Sequence, residues 1–192
     1  MSERWLIAVN GTTEKNYVNA LRQLLRSSAI EVKNFANDPV SQVIDAEKFA
    51  KREITKFRRI YVVFDTDHFD TALALTKIKE LNDAATSKPK TPGCQWFAII
   101  NSPCIELWYL LHFSYTCATF GGQTPCRDLQ NQFPKVFQGY SKVDAKTAKE
   151  LVETKLDTAC TNARKLSTYQ SSTKTDMWKL VEALRDRQKA NA

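Results

Sequence analysis

The sequence predicts an α/β protein: a mostly parallel sheet of about four strands flanked by helices, with a helical C-terminal extension. Three observations predict it. Short apolar runs alternate with helix-length amphipathic segments through the first 100 residues. RIYVVF (59–64) is almost continuously apolar, as suits a central parallel strand covered on both faces. Beyond residue 115 the strand pattern gives way to longer helical spacing. Residues 1–115 are therefore expected to form the α/β domain and residues 116–192 an extension packed on it. No Pro- or Gly-rich linker separates the two, so one structural unit is expected.

RWLIAV (4–9) reads as the first strand. TTEKNYVNALRQLLRSS (12–28) follows as a helix with Tyr17, Leu21, Leu24 and Leu25 on one face. AIEVKNF (29–35) alternates loosely as a second strand. Residues 40–57 carry Val40, Val43, Ile44, Ala50, Ile54 and Phe57 at mostly helical spacing, with Pro39 at or just before the first turn. The third strand (59–64) leads to a helix marked by Ala74, Ile78, Leu81 and Ala85, a loop at 87–93, and a buried strand at 95–100. SPCIELWYLLHF (102–113) predicts a helix with Ser102 as N-cap and Pro103 in its first position. A Gly-Gly loop (117–126), a long helix (145–166) and a final helix carrying Met177, Leu180, Val181 and Leu184 complete the chain.

Composition narrows the function classes. Of 192 residues, 43% are hydrophobic, enough for a core and too many for general disorder. No apolar run approaches the roughly 18 residues of a membrane span. The N-terminal run Trp5 to Val9 is too short for a secretory signal. A cytoplasmic protein with no membrane association is expected. The net charge is +7, and the last 70 residues hold 13 basic and 8 acidic groups. That field suits a polyanionic partner without proving one. The five cysteines are irregularly spaced and lack a C-x-x-C pair, so ordinary buried thiols are expected rather than a disulfide framework. His112, Cys117 and Cys126 lack the paired spacing of structural zinc ligands.

In a sheet built from βαβ crossovers, ligands gather at the carboxyl ends of the strands. Asn10 and Gly11 follow the first strand, Asp65 and Asp67 the third, and Asn101 the fourth, so all fall on that edge. Asp65 and Asp67 point to the same side if extended geometry continues. Two adjacent carboxylates repel unless they share a cation, and Mg²⁺ is the natural one. On the local pattern alone, one aspartate capping the next helix and the other solvated is the better explanation of the pair, and His68 after them reads as a helix-start residue. Glu14 falls in a first helical turn, where the helix dipole favours an acid and where it also faces the ligand edge. Glu106 lies in a strongly apolar helix, either on a wet face or buried with a partner. Trp96 and Trp108 read as core. The basic run KREITKFRR (51–59) lies at the opposite, amino edge and reads as a solvated face.

Three stretches in order, LIAVNGTTEKNYVNAL, IYVVFDTDHF and INSPCIELWYLLHF, resemble the RloB-like proteins, a Toprim-fold family encoded beside prokaryotic restriction and antiphage loci. GYSK (139–142), TNARKL (161–166) and MWKLVEAL (177–184) are similar to that family's tail. The resemblance implies a Toprim/Rossmann-like fold whose acidic cluster binds Mg²⁺ or Mn²⁺ and works on phosphodiesters of DNA or RNA, tRNA included. By resemblance, Glu14 is acid/base or metal ligand, Asp65 and Asp67 are metal ligands, and Glu106 is a further acid by the cluster. An SMC-like or AAA-type ATPase partner is implied in the same way, and homodimer formation is left open. The chain departs from the family at one position: the usual first turn reads E-G-x-T-E, and here Asn10 replaces the first acid. An amide oxygen can ligate a hard cation but adds no charge and no useful base. The leading expectation is therefore a metal-dependent nuclease of antiphage defence; the alternative is a catalytically weak or inactive subunit that binds nucleic acid or an ATPase, and a sensor of a small phosphorylated ligand at the same edge is a third, weaker reading.

Overall fold

A computed structural model of the chain describes residues 3–27, 29–35, 38–66, 69–87, 93–120, 123–133, 144–169 and 171–190. The elements run β1 (Trp5–Val9), α1 (Thr12–Leu24), β2 (Ile30–Asn34), α2 (Pro39–Arg52), β3 (Arg59–Asp65), α3 (Ala72–Thr86), β4 (Gln95–Ser102), α4 (Glu106–Leu111), α5 (Pro125–Asn131), α6 (Ala145–Ser167), β5 (Lys174–Thr175) and α7 (Met177–Ala190). The sheet order is β2-β1-β3-β4-β5. The first four strands are parallel and β5 runs antiparallel to β4. The predicted mostly parallel sheet of about four strands is thus present. The C-terminal extension adds a fifth strand that the sequence pattern did not announce.

Period-two alternation divides the strands between two cores. In β1, Trp5, Ile7 and Val9 face one side, with α1, α4, α6 and α7. Leu6 and Ala8 face the other, with α2 and α3. In β3, Tyr61 and Val63 join the first core and Ile60, Val62 and Phe64 the second. The same first core holds Leu151, Val152, Ala159 and Ala163 of α6 and Met177, Leu180, Val181 and Leu184 of α7. The expected core tryptophans are buried, Trp108 completely and Trp96 nearly so.

The helices differ from expectation at several points. Gly11 is the N-cap of α1, and no side chain caps that end. At the other end of the same helix, Leu24 lies on the solvent side, leaving Tyr17, Leu21 and Leu25 to the core. α2 starts on an Asp38 cap, whose carboxylate accepts from the Ser41 N–H at 2.7 Å, with Pro39 in the first turn. It ends at Arg52 because Glu53 turns extended, and Ile54, expected on the apolar face, is fully exposed in the link to β3. Finally, Ser102 is not the cap of α4. It is still paired in the sheet opposite Lys174, the Ser102–Pro103 bond is cis, and the helix begins at Glu106. Strand pairing outranks the Ser-Pro start signal there.

Candidate acidic site at the carboxyl edge of the sheet

The chain leaves β1 toward α1 on one face and β2 toward α2 on the other, so the switch point lies between the carboxyl ends of β1 and β3. Crevices of this kind hold ligands because the two connections diverge there. Asp65 is the last residue of β3 and continues its alternation, which turns the side chain to the face bearing α1 and α4. Burial raises its carboxyl well above the ordinary Asp range, and the carboxylates of Glu14 and then Glu106 push it further. The Ile105 backbone N–H and the Asn101 amide act the other way, favouring the ionised form. The structure thus gathers three of the predicted site residues, Glu14, Asp65 and Glu106. Asp67 and His68 lie outside the described residues, as do Gly121, Gly122 and residues 139–142.

Each acid is positioned by its element. Glu14, in the first turn of α1, is buried, and its carboxylate folds back over Gly11. A Cβ at Gly11 would sit 2.1 Å from Glu14 Oε2, so the missing side chain makes the room that this carboxylate occupies. Gly11 has extended backbone (φ −147°), so space rather than a special φ calls for glycine. Asn10 lies half-buried at the same turn. Glu106 is buried at the start of α4, not on a wet face. Its Oε1 accepts from Gln130 Nε2 of α5 at 2.9 Å.

Two polar residues support this edge. Asn101 is the register partner of Asp65 across β3 and β4 and is fully buried. Its Nδ2 donates to Asp65 Oδ1 at 3.1 Å, and its Oδ1 accepts from the Thr175 hydroxyl at 2.7 Å. The same hydroxyl accepts from the Met177 N–H at 3.2 Å, at the start of α7. Asn101 was placed on the edge by sequence but given no role; Thr175 and Gln130 were missed. In the sequence Thr175 is one more Thr before a helix, and only the β4–β5 pairing brings it to Asn101.

Two of the cysteines correct the expectation of ordinary buried thiols. Cys104 and Cys126 form a disulfide across 22 residues, with Cα atoms 6.1 Å apart, joining the turn before α4 to α5. Cys117 is exposed and Cys160 buried, both as free thiols. His112 does not join Cys117 and Cys126. It is fully buried, with Nε2 2.8 Å from the Tyr17 hydroxyl and Nδ1 2.8 Å from the Trp108 carbonyl.

Glu14, Asp65 and Glu106 supply only oxygen donors, and Asp65 sits where added positive charge would relieve the repulsion of its neighbours. This chemistry fits a hard divalent cation better than a soft one. Fold and site together define an α/β protein with an acidic edge at the switch point of a parallel sheet. The model of the RloB-like protein family matches residues 5–184, and the chain belongs to that family. No curated protein and no solved structure matches the chain.

Proposed function

We propose that this protein is a divalent-metal-dependent nuclease acting on DNA or RNA, with Mg²⁺ or Mn²⁺ held at the carboxyl edge by Asp65, Asp67 and Glu14 and assisted by Glu106. The observation that carries it is the meeting of Asp65, at the end of β3, with the buried Glu14 of α1 and Glu106 of α4, near enough that both glutamates push the Asp65 carboxyl up. Acids brought this close at a sheet's switch point have a use in cation binding that a structural role does not require. A bound Mg²⁺ or Mn²⁺ would supply Lewis-acid neutralisation of the phosphodiester charge.

The chain's own residues do the rest. Asn101 fixes the Asp65 carboxylate through Oδ1. Glu14, folded over Gly11, takes the proton from the attacking water at a carboxylate oxygen. Lys174 is exposed opposite Ser102 at the same edge, where its ammonium can meet a phosphate. The +7 net charge favours a polyanionic substrate generally. A role in antiphage defence, cytoplasmic, under control of an SMC-like or AAA-type ATPase, extends the reading along the family resemblance.

The test incubates the purified chain, alone and with any ATPase encoded beside it, with duplex DNA and with tRNA, with and without Mg²⁺ or Mn²⁺. Cleavage should need the metal and fall by roughly 100-fold or more in Asp65→Asn and in Glu14→Gln. Cleavage that persists in the double variant would end the proposal. Asn10, standing where the family has an acid, favours a second reading: a subunit that binds nucleic acid without turnover. Fluorescence anisotropy that reports binding, with no product under any metal, would select it.

A further inference from the structure

Beside the oxygen-donor edge lies a second, chemically different donor group. The donor atoms of Cys104, Glu106 and Cys126 all lie within 4.8 Å of one another. Cys104 and Glu106 are buried and Cys126 is half-buried, which leaves a route from solvent. Their placement is built by two elements. Cys126 and Gln130 stand one turn apart on α5 and share a helical face. That face meets Cys104 and Glu106, Cys126 through the disulfide and Gln130 by its hydrogen bond to Glu106 Oε1.

We propose that, once its disulfide is reduced, this group is a site for a thiophilic divalent cation, Zn²⁺, held by the sulfurs of Cys104 and Cys126 and the carboxylate of Glu106. Two equivalents of a small thiol convert the protein disulfide to two thiols and are themselves joined as a disulfide. Zn²⁺ then replaces the two thiol protons, which leave to solvent. Two sulfurs, one oxygen and a fourth position for water make a tetrahedral set. In such a set, donors about 3.3–3.8 Å apart serve Zn–O and Zn–S bonds of about 2.0–2.3 Å, so the present donors need shifts of only about 1–1.5 Å. Thiolates select zinc over the hard cations suited to Asp65 and Glu14, so the two sites do not compete for one ion. They compete for Glu106. With zinc bound, Glu106 is turned to the sulfurs; with the disulfide formed, it is left to the acidic edge. Gln130 orients the carboxylate, as partners of metal-bound carboxylates commonly do.

Co²⁺ is the probe. The full chain, reduced with a phosphine and freed of reductant, should bind one Co²⁺ with a near-ultraviolet sulfur-to-cobalt charge-transfer band and tetrahedral visible bands, and Zn²⁺ should displace it. Cys126→Ser, the substitution least disturbing to the core, should weaken binding by roughly tenfold or more, and Glu106→Gln should do so while keeping the charge-transfer band. The oxidised chain should show no band. Asp65→Asn should leave the spectrum unchanged, which separates this site from the nuclease proposal. The inference is overturned if reduced wild type gives no charge-transfer band, if the band survives in the folded Cys104→Ser/Cys126→Ser double variant, or if Asp65→Asn removes it.

Discussion

His112 shows what a single buried side chain contributes. The Trp108 carbonyl can only accept, so Nδ1 carries the proton and Nε2 accepts from the Tyr17 hydroxyl. Burial lowers the imidazole pKa from 6.5 to about 4, and the nearby Lys155 ammonium adds to the shift. The native state therefore keeps His112 neutral while the unfolded chain protonates it below pH 6.5. The unfolded state binds more protons in this window, so the stability that His112 contributes is full above pH 6.5 and is lost as pH falls toward 4. Between pH 7 and pH 5 the loss should be about 2 kcal/mol. Urea unfolding of wild type and His112→Asn at both pH values checks this. The variant should be less stable at pH 7 but lose distinctly less on acidification; equal losses in the two proteins would refute the assignment.

At the scale of elements, the acidic edge depends on a strand too short to read. Thr175 reaches Asn101 only because β5 pairs antiparallel with β4, placing Asn101 opposite Thr175. Thr175→Val keeps the shape and removes the hydroxyl, leaving the buried Asn101 Oδ1 without that donor and the Met177 N–H without its acceptor. Stability should fall by about 1–3 kcal/mol and Thr175→Ser should recover most of it. Chemical denaturation of the three proteins checks this, and a silent Val substitution would show that the hydrogen bonds carry no net weight. The same elements explain what the sequence made legible. β1, β3 and β4 are largely apolar, so their runs stand out, and the polar residues at their carboxyl ends, Asn10, Asp65 and Asn101, are conspicuous. Period two carried along β3 already turns Asp65 to the α1 face. A two-residue strand has no periodicity, and a disulfide across 22 residues depends on where α5 docks, so neither could be read. The SPCIEL start was misplaced because strand pairing through Ser102 is a tertiary fact.

At the scale of the whole molecule, α7 closes the structure. Met177, Leu180, Val181 and Leu184 are fully buried in the core shared with β1 and α1. Arg187 stacks 4.5 Å from the Trp5 ring, which Arg59 approaches to 4.9 Å, and its guanidinium donates to the Glu3 carbonyl. Arg185 of α7 pairs with Asp157 of α6 at 2.7 Å, and Arg164 of α6 pairs with Glu182 of α7, contacts too exposed to weigh much. The four apolar side chains decide the matter. At about 1.5–3 kcal/mol each, their burial amounts to about 6–12 kcal/mol, comparable to the whole stability of a domain, about 5–15 kcal/mol. A chain ended at residue 170 loses these contacts and the Thr175 bond to Asn101 together. It should show no cooperative thermal transition by near-ultraviolet circular dichroism, whereas the full chain should melt in one step with far- and near-ultraviolet signals coincident. A truncated chain that still melts cooperatively within a few degrees of the full chain would mean that the α/β portion stands alone. α7 would then be a cover on the core and not part of it, and the Asp65–Asn101 pair would persist without its support from Thr175.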